Sequence, residues 1–241
     1  AITNTANGQT LTTSGQQNNP GIALVRKSYP NVFIMGGGDL SLEDAAKLKA
    51  ALDETAAMLP TNYLKNKIIF VPVNEGLAQS LWETVGGEGN VKTEANAFVS
   101  KNNVIVFNGI AHAQNENSSL EEWEQKYPGG KGGNTIGGNN TSFTLVHELA
   151  HVMAKTGTGD FSGTDYWMDL FYGIDTHKTG FITNYAKTNP AEDLAETITA
   201  ATLALNGKAK AYTGDSTTDA VLQSKYEYLK KSGFIKDVPP R

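Results

Sequence analysis

Residues 147–151 read His-Glu-Leu-Ala-His, an H-E-x-x-H motif set inside an apolar run from Phe143 to Ala154. Such a run fits a buried helix, because Val146, Leu149, Ala150, Val152 and Met153 leave little polar face. On a helix, residues four apart stand on one face, one turn above the other. His147 and His151 can then aim ring nitrogens at one point, with Glu148 beside it. Two histidines and a glutamate are costly in an apolar helix unless something satisfies them. A metal ion does so. The pattern is that of a zinc hydrolase, with two neutral imidazoles, an open metal position and a carboxylate base.

A catalytic zinc needs a third protein ligand. The extension H-E-x-x-H-x-x-G-x-x-H fails, since Ala154 and Gly157 stand where glycine and histidine are required. The two other histidines, His112 and His177, have no spacing that recommends them. A carboxylate is the better candidate. Asn189-Pro190 suits a helix start, and Leu194, Ile198, Ala201 and Leu205 form an apolar stripe that Asn206-Gly207 ends. Glu192 falls in the first turn of that helix and Glu196 one turn later on the same face. Glu192 also reads as half of a capping box with Asn189, and Glu196 as a solvated charge.

H-E-x-x-H followed by Tyr185-Ala-Lys-Thr-Asn-Pro-Ala-Glu192-Asp-Leu-Ala-Glu196 resembles the gluzincin zinc peptidases. It is most similar to the catalytic domain of anthrax lethal factor, to related secreted bacterial zinc peptidases and to zinc metallohydrolase lipoproteins. The resemblance covers residues 142–206 at most. It implies that His147, His151 and Glu192 hold one Zn²⁺ and that Glu148 is the general base. It further implies that Tyr185 donates to the oxyanion and that Glu196 orients the first imidazole, since a metal-bound histidine usually gives its other N–H to an oxygen. Asp193 is expected as a surface or cap charge. Asp169-Leu-Phe-Tyr172-Gly173 resembles the tail of an aspzincin motif, but Gly163-Thr164 lies too far upstream, so Glu192 is preferred over Asp169 and Tyr185 over Tyr172. Tyr172 otherwise reads as an aromatic core residue beside Trp167 and Phe171.

The implied activity is zinc-dependent endopeptidase, with a peptide or protein as substrate. The rivals are a zinc hydrolase of a non-peptide amide or ester, and a non-catalytic module that keeps zinc for structure. The implied fold is α+β and zincin-like. Residues 1–20 are expected as a polar tail ahead of one metallopeptidase domain over 21–241. A mixed lobe, about 21–156, would end in the motif helix, and a mostly helical lobe, about 157–241, would follow.

Composition narrows the rest. A chain of 241 residues can bury a core without staples. There is no cysteine, which excludes disulfides, a thiol nucleophile and a cysteine metal site. The net charge of −5, without a basic block, argues against nucleic acid. No apolar run reaches membrane-spanning length. A monomer that is secreted, periplasmic or on a bacterial surface is expected, its signal peptide absent from this chain. The sequons at Asn117, Asn139 and Asn140 read as chance.

Strands are predicted at 31–35, 67–73 and 103–108, and a helix from Ser41 to Pro60. The segment 104–109 is the candidate edge strand of the cleft. A short acidic helix is expected at 121–127, and residues 224–231 are expected to belong to a terminal helix around Tyr226, Tyr228 and Leu229. Residues 129–138, with six glycines, read as a connector or a lid. Residues 157–180 read as irregular, their aspartates 160, 165, 169 and 175 as solvated acids rather than a calcium site.

Overall fold

A computed structural model of the chain describes residues 3–6, 9–12, 19–34, 40–59, 63–71, 97–100, 103–108, 141–155, 165–173 and 179–241. The acidic helix at 121–127, the glycine-rich stretch 129–138, His112, His177, Asp160, Asp175 and the three sequons lie outside them. The class is α+β, with six α-helices and two small sheets among the described residues. The chain divides into two compact units, Ala1–Ala56 with Asn62–Glu116, and Ala57–Thr61 with Asn117–Arg241.

In the first unit, the N-terminal stretch expected as a tail pairs with itself. Strands β1 (Thr3–Ala6) and β2 (Gln9–Thr12) run antiparallel, with Ala6 opposite Gln9. Asn7-Gly8 stands between them in the sequence, a dipeptide that two-residue hairpins favour. Helix α1 (Pro20–Ser28) is a second element that pattern reading missed. Asn19 caps it, accepting from the Ile22 N–H at 3.0 Å, and Pro20 opens its first turn.

The main sheet follows the prediction more closely. Strands β3 (Val32–Ile34), β4 (Ile68–Val71) and β6 (Ile105–Asn108) are parallel neighbours. Ile68, Ile69 and Phe70 are all buried, as happens when a sheet is covered on both faces. The edge assignment for 104–109 is corrected. Strand β5 (Ala97–Val99) pairs antiparallel with β6 on the side away from β4, so β6 is interior. The connection closes at Ser100, whose N–H donates to Val104 O at 2.9 Å, with Asn103 at φ 57°. Asparagine tolerates that left-handed geometry better than most side chains. Helix α2 (Leu42–Met58) starts at the predicted cap, where Ser41 Oγ accepts from the Asp44 N–H at 3.0 Å. It buries Ala45, Leu48 and Leu52, while Leu42 and Ala56 are exposed.

The second unit is helical among its described residues. It contains α3 (Thr141–Lys155), α4 (Asp165–Tyr172), a 3₁₀ turn (Tyr185–Lys187), α5 (Pro190–Leu205) and α6 (Ser216–Lys231). Helix α4 replaces the irregular structure expected there. Its Trp167 and Phe171 are buried, but Tyr172 is 57% exposed, so the core role expected for Tyr172 is wrong. Helix α6 contains the expected residues 224–231 and begins at an Asp215 cap that accepts from the Thr218 N–H at 2.8 Å. Helix α5 packs against α3, α4, α6 and the 3₁₀ turn. Every residue from Asp193 to Leu203 is buried, which makes α5 the axis of this unit. It ends as predicted at Asn206-Gly207. Gly207, at φ 67°, lets Lys208 N–H reach back to Leu203 O at 2.8 Å.

Gly180 is the tightest of the described glycines of this unit. It sits at φ 84°, and a Cβ there would lie 2.4 Å from Val221 Cγ1 and 2.7 Å from Val221 Cβ. Gly180→Ala therefore combines left-handed strain with overpacking, each costing about 1–3 kcal/mol. Thermal unfolding should show a loss of at least about 2 kcal/mol. An unchanged melting temperature would contradict this packing.

Candidate metal centre

Helix α3 carries His147, Glu148 and His151 in a wall of buried Leu145, Val146, Leu149, Ala150 and Val152. His147 and Glu148 are themselves buried, and His151 is half-buried. The helical turn stacks the imidazoles edge to face, with ring centroids 4.9 Å apart. Helix α5 faces them with its first turn.

His147, His151 and Glu192 form a group that could hold a metal ion. His147 Nε2 lies 3.1 Å from Glu192 Oε2, His151 Nε2 lies 3.2 Å from the same oxygen, and the two Nε2 atoms are 3.2 Å apart. These three edges make a nearly equilateral triangle. A tetrahedral ion with bonds of about 2.0–2.1 Å would hold its ligand atoms roughly 3.3 Å apart. The triangle therefore fits one face of such a coordination shell, and two imidazoles with a carboxylate suit zinc. Cysteine is absent, so no thiolate competes.

The local cap explains how Glu192 reaches the histidines. Its backbone N–H donates to Asn189 Oδ1 at 2.9 Å, which forms half of the capping box. Its carboxylate turns to His147 and His151 instead of folding back on the cap. Asp169, the other carboxylate considered, is exposed on α4 and stands apart from this group.

Glu196 lies one turn along α5 and is fully buried. Its Oε1 contacts His147 Nδ1 at 2.7 Å, although the pair departs from ideal hydrogen-bond angles. Its Oε2 accepts from the Thr183 hydroxyl at 2.6 Å. Both ring nitrogens of His147 therefore face carboxylates. Tyr185, in the 3₁₀ turn, sets its ring 6.0 Å from that of His147.

The electrostatics follow from this crowding. Burial pushes the Glu192 carboxyl up, but hydrogen bonds from His147 and His151 outweigh it and hold the group well below the usual carboxylate range. Burial lowers His147, yet Glu192, Glu196 and Glu148 outweigh it and hold the imidazole well above its ordinary value. Glu148 is raised, first by burial, against the pull of His147 and His151. Burial also raises the Tyr185 phenol, with help from the Glu192 and Glu148 carboxylates.

Two features escaped the sequence reading. Asp193 is no surface charge. It is fully buried and paired with Lys225 of α6, whose Nζ lies 2.8 Å from each carboxylate oxygen and 2.8 Å from Gly180 O. The signal was available, because Lys225 stands in the stripe Leu222, Lys225, Tyr226, Leu229 at core spacing. Thr183 had no comparable signal, since nothing local distinguishes it from other threonines.

No protein-family model matches this chain, and no curated protein matches it. No helix among the described residues is long and apolar enough to cross a membrane.

Proposed function

We propose that this chain is a zinc-dependent endopeptidase of the gluzincin type, with a zincin-like fold, acting outside the cytoplasm. The observation that carries the reading is the near-equilateral triangle of His147 Nε2, His151 Nε2 and Glu192 Oε2. Buried Glu148 and the phenol of Tyr185 support a catalytic rather than a structural use of that triangle. A site serving only to brace the fold needs neither group.

A bound zinc ion would supply a Lewis acid that acidifies water and polarises a carbonyl. His147 and His151 would present their Nε2 lone pairs, with Glu192 contributing the negative charge. Glu196 would hold the His147 ring through Nδ1. Glu148 would accept a proton from the attacking water and return it to the leaving amine. Tyr185 would donate its O–H to the developing oxyanion of the peptide carbonyl. The apolar wall of α3 would keep bulk water from these groups.

The first test is the metal itself. The purified chain should carry about one zinc and lose peptide cleavage on chelation, then regain it with added zinc. Glu192→Gln should weaken zinc binding by more than about 100-fold, beyond the loss typical of an outer partner. Elemental analysis with a competing chelator dye reads both. A chain that takes up no zinc from micromolar solution would end the proposal.

A further inference from the structure

Thr183 is buried and stands two residues before Tyr185 in the sequence. Its Oγ1 accepts from the Ala186 N–H at 3.1 Å and donates to Glu196 Oε2 at 2.6 Å. The directions are fixed by chemistry. A backbone N–H can only donate, so the hydroxyl oxygen accepts there. A carboxylate can only accept, so the hydroxyl proton goes to Glu196. With Oε2 held in this way, Oε1 is left against His147 Nδ1 at 2.7 Å. One chain of contacts therefore runs from the turn that bears Tyr185, through Thr183 and Glu196, to the imidazole. His147, Glu196 and Thr183 are all buried, so water has little room to substitute for the hydroxyl.

We infer that Thr183 is a positioning residue that fixes Glu196 against His147 and ties the Tyr185 turn to the imidazole's orientation. This rests on the zinc reading of the triangle. The hydroxyl holds one rotamer of Glu196. Glu196 then favours the tautomer of His147 with its proton on Nδ1, which leaves the Nε2 lone pair on the triangle. Without the hydroxyl, the carboxylate can rotate and the ring loses its fixed setting.

The test uses zinc affinity of the whole chain, read by competition with a chromophoric chelator. Thr183→Val keeps the shape and removes the hydroxyl. It should weaken zinc binding about tenfold, the lower end for an outer partner of a metal ligand. Thr183→Ser restores the hydroxyl and should stay within about threefold of wild type, on the same scale. Thr199 supplies the control. It is fully buried on the same helix as Glu196, and its hydroxyl donates to Ala195 O at 2.6 Å, with no link to His147. Thr199→Val should leave zinc affinity unchanged even if it lowers the melting temperature. Wild-type affinity in Thr183→Val would overturn the inference, as would equal losses in Thr183→Val and Thr199→Val. Wild type that binds no zinc would remove the underlying reading instead, a different result. Should Thr183→Val fail to fold, proton NMR of the wild type decides. A Thr183 hydroxyl proton protected from exchange supports the inference, and one exchanging at the solvent rate overturns it.

Discussion

Glutamine in place of Glu148 should leave the zinc content near one per chain while peptide cleavage falls about 10²–10⁴-fold. Glu148 is buried beside the triangle, and glutamine keeps its volume, so the apolar wall of α3 should hold its shape. What glutamine cannot do is accept a proton. Burial raises the Glu148 carboxyl, and a base moved toward neutrality transfers protons more effectively at physiological pH. The loss should appear in turnover more than in substrate binding, because the proton moves only as the bond breaks. Initial rates on an unstructured protein substrate, measured with elemental analysis of the same sample, check both halves. A zinc-loaded Glu148→Gln protein cleaving at the wild-type rate would refute Glu148 as the base.

The largest effect on stability should come from Lys225→Met. The ammonium has three contacts of 2.8 Å, two to Asp193 and one to Gly180 O, and sits over the Phe181 ring at 4.7 Å and the Trp167 ring at 5.5 Å. Burial pushes Lys225 down and Asp193 up, so each charge depends on the other. Methionine would leave the Asp193 carboxylate buried without its cation. Breaking a buried pair from one side costs about 3–5 kcal/mol. Domains of this kind hold only about 5–15 kcal/mol in all, so the variant should unfold at much lower urea. Removing both charges, in Asp193→Leu with Lys225→Met, should recover much of the loss, since apolar replacements of buried pairs are often neutral. Urea midpoints of the two variants make the comparison. A single variant within about 1 kcal/mol of wild type would show that the pair is not buried in solution.

Much of the site was legible because its residues carry local signatures. The helical turn between His147 and His151 alone sets their shared face. Asn189-Pro190 fixes where α5 begins, and hence which way Glu192 points. Asn19-Pro20 carries the same signature at α1 and went unread, because the polar residues before it suggested a tail. Elements defined by distant partners were harder. Strand β5 is three residues long and is specified mainly by its pairing with β6. The Asp193–Lys225 pair joins positions 32 residues apart. A charge inside an apolar stripe signals burial, but only the fold names its partner.

The run 192–196 has a consequence for how such a chain can change over time. Within five residues, α5 sends Glu192 to the histidine triangle, Asp193 to Lys225 and Glu196 to His147. Each added or lost residue turns a helix by about 100°. One codon gained or deleted inside this stretch would therefore turn the carboxylates on one side of it away from those on the other, so the three could no longer all meet their targets. Drift at the histidine-facing end of the helix is coupled to drift in its interior anchor. Length variation among descendants of this sequence should accordingly collect in connecting segments and spare these five positions.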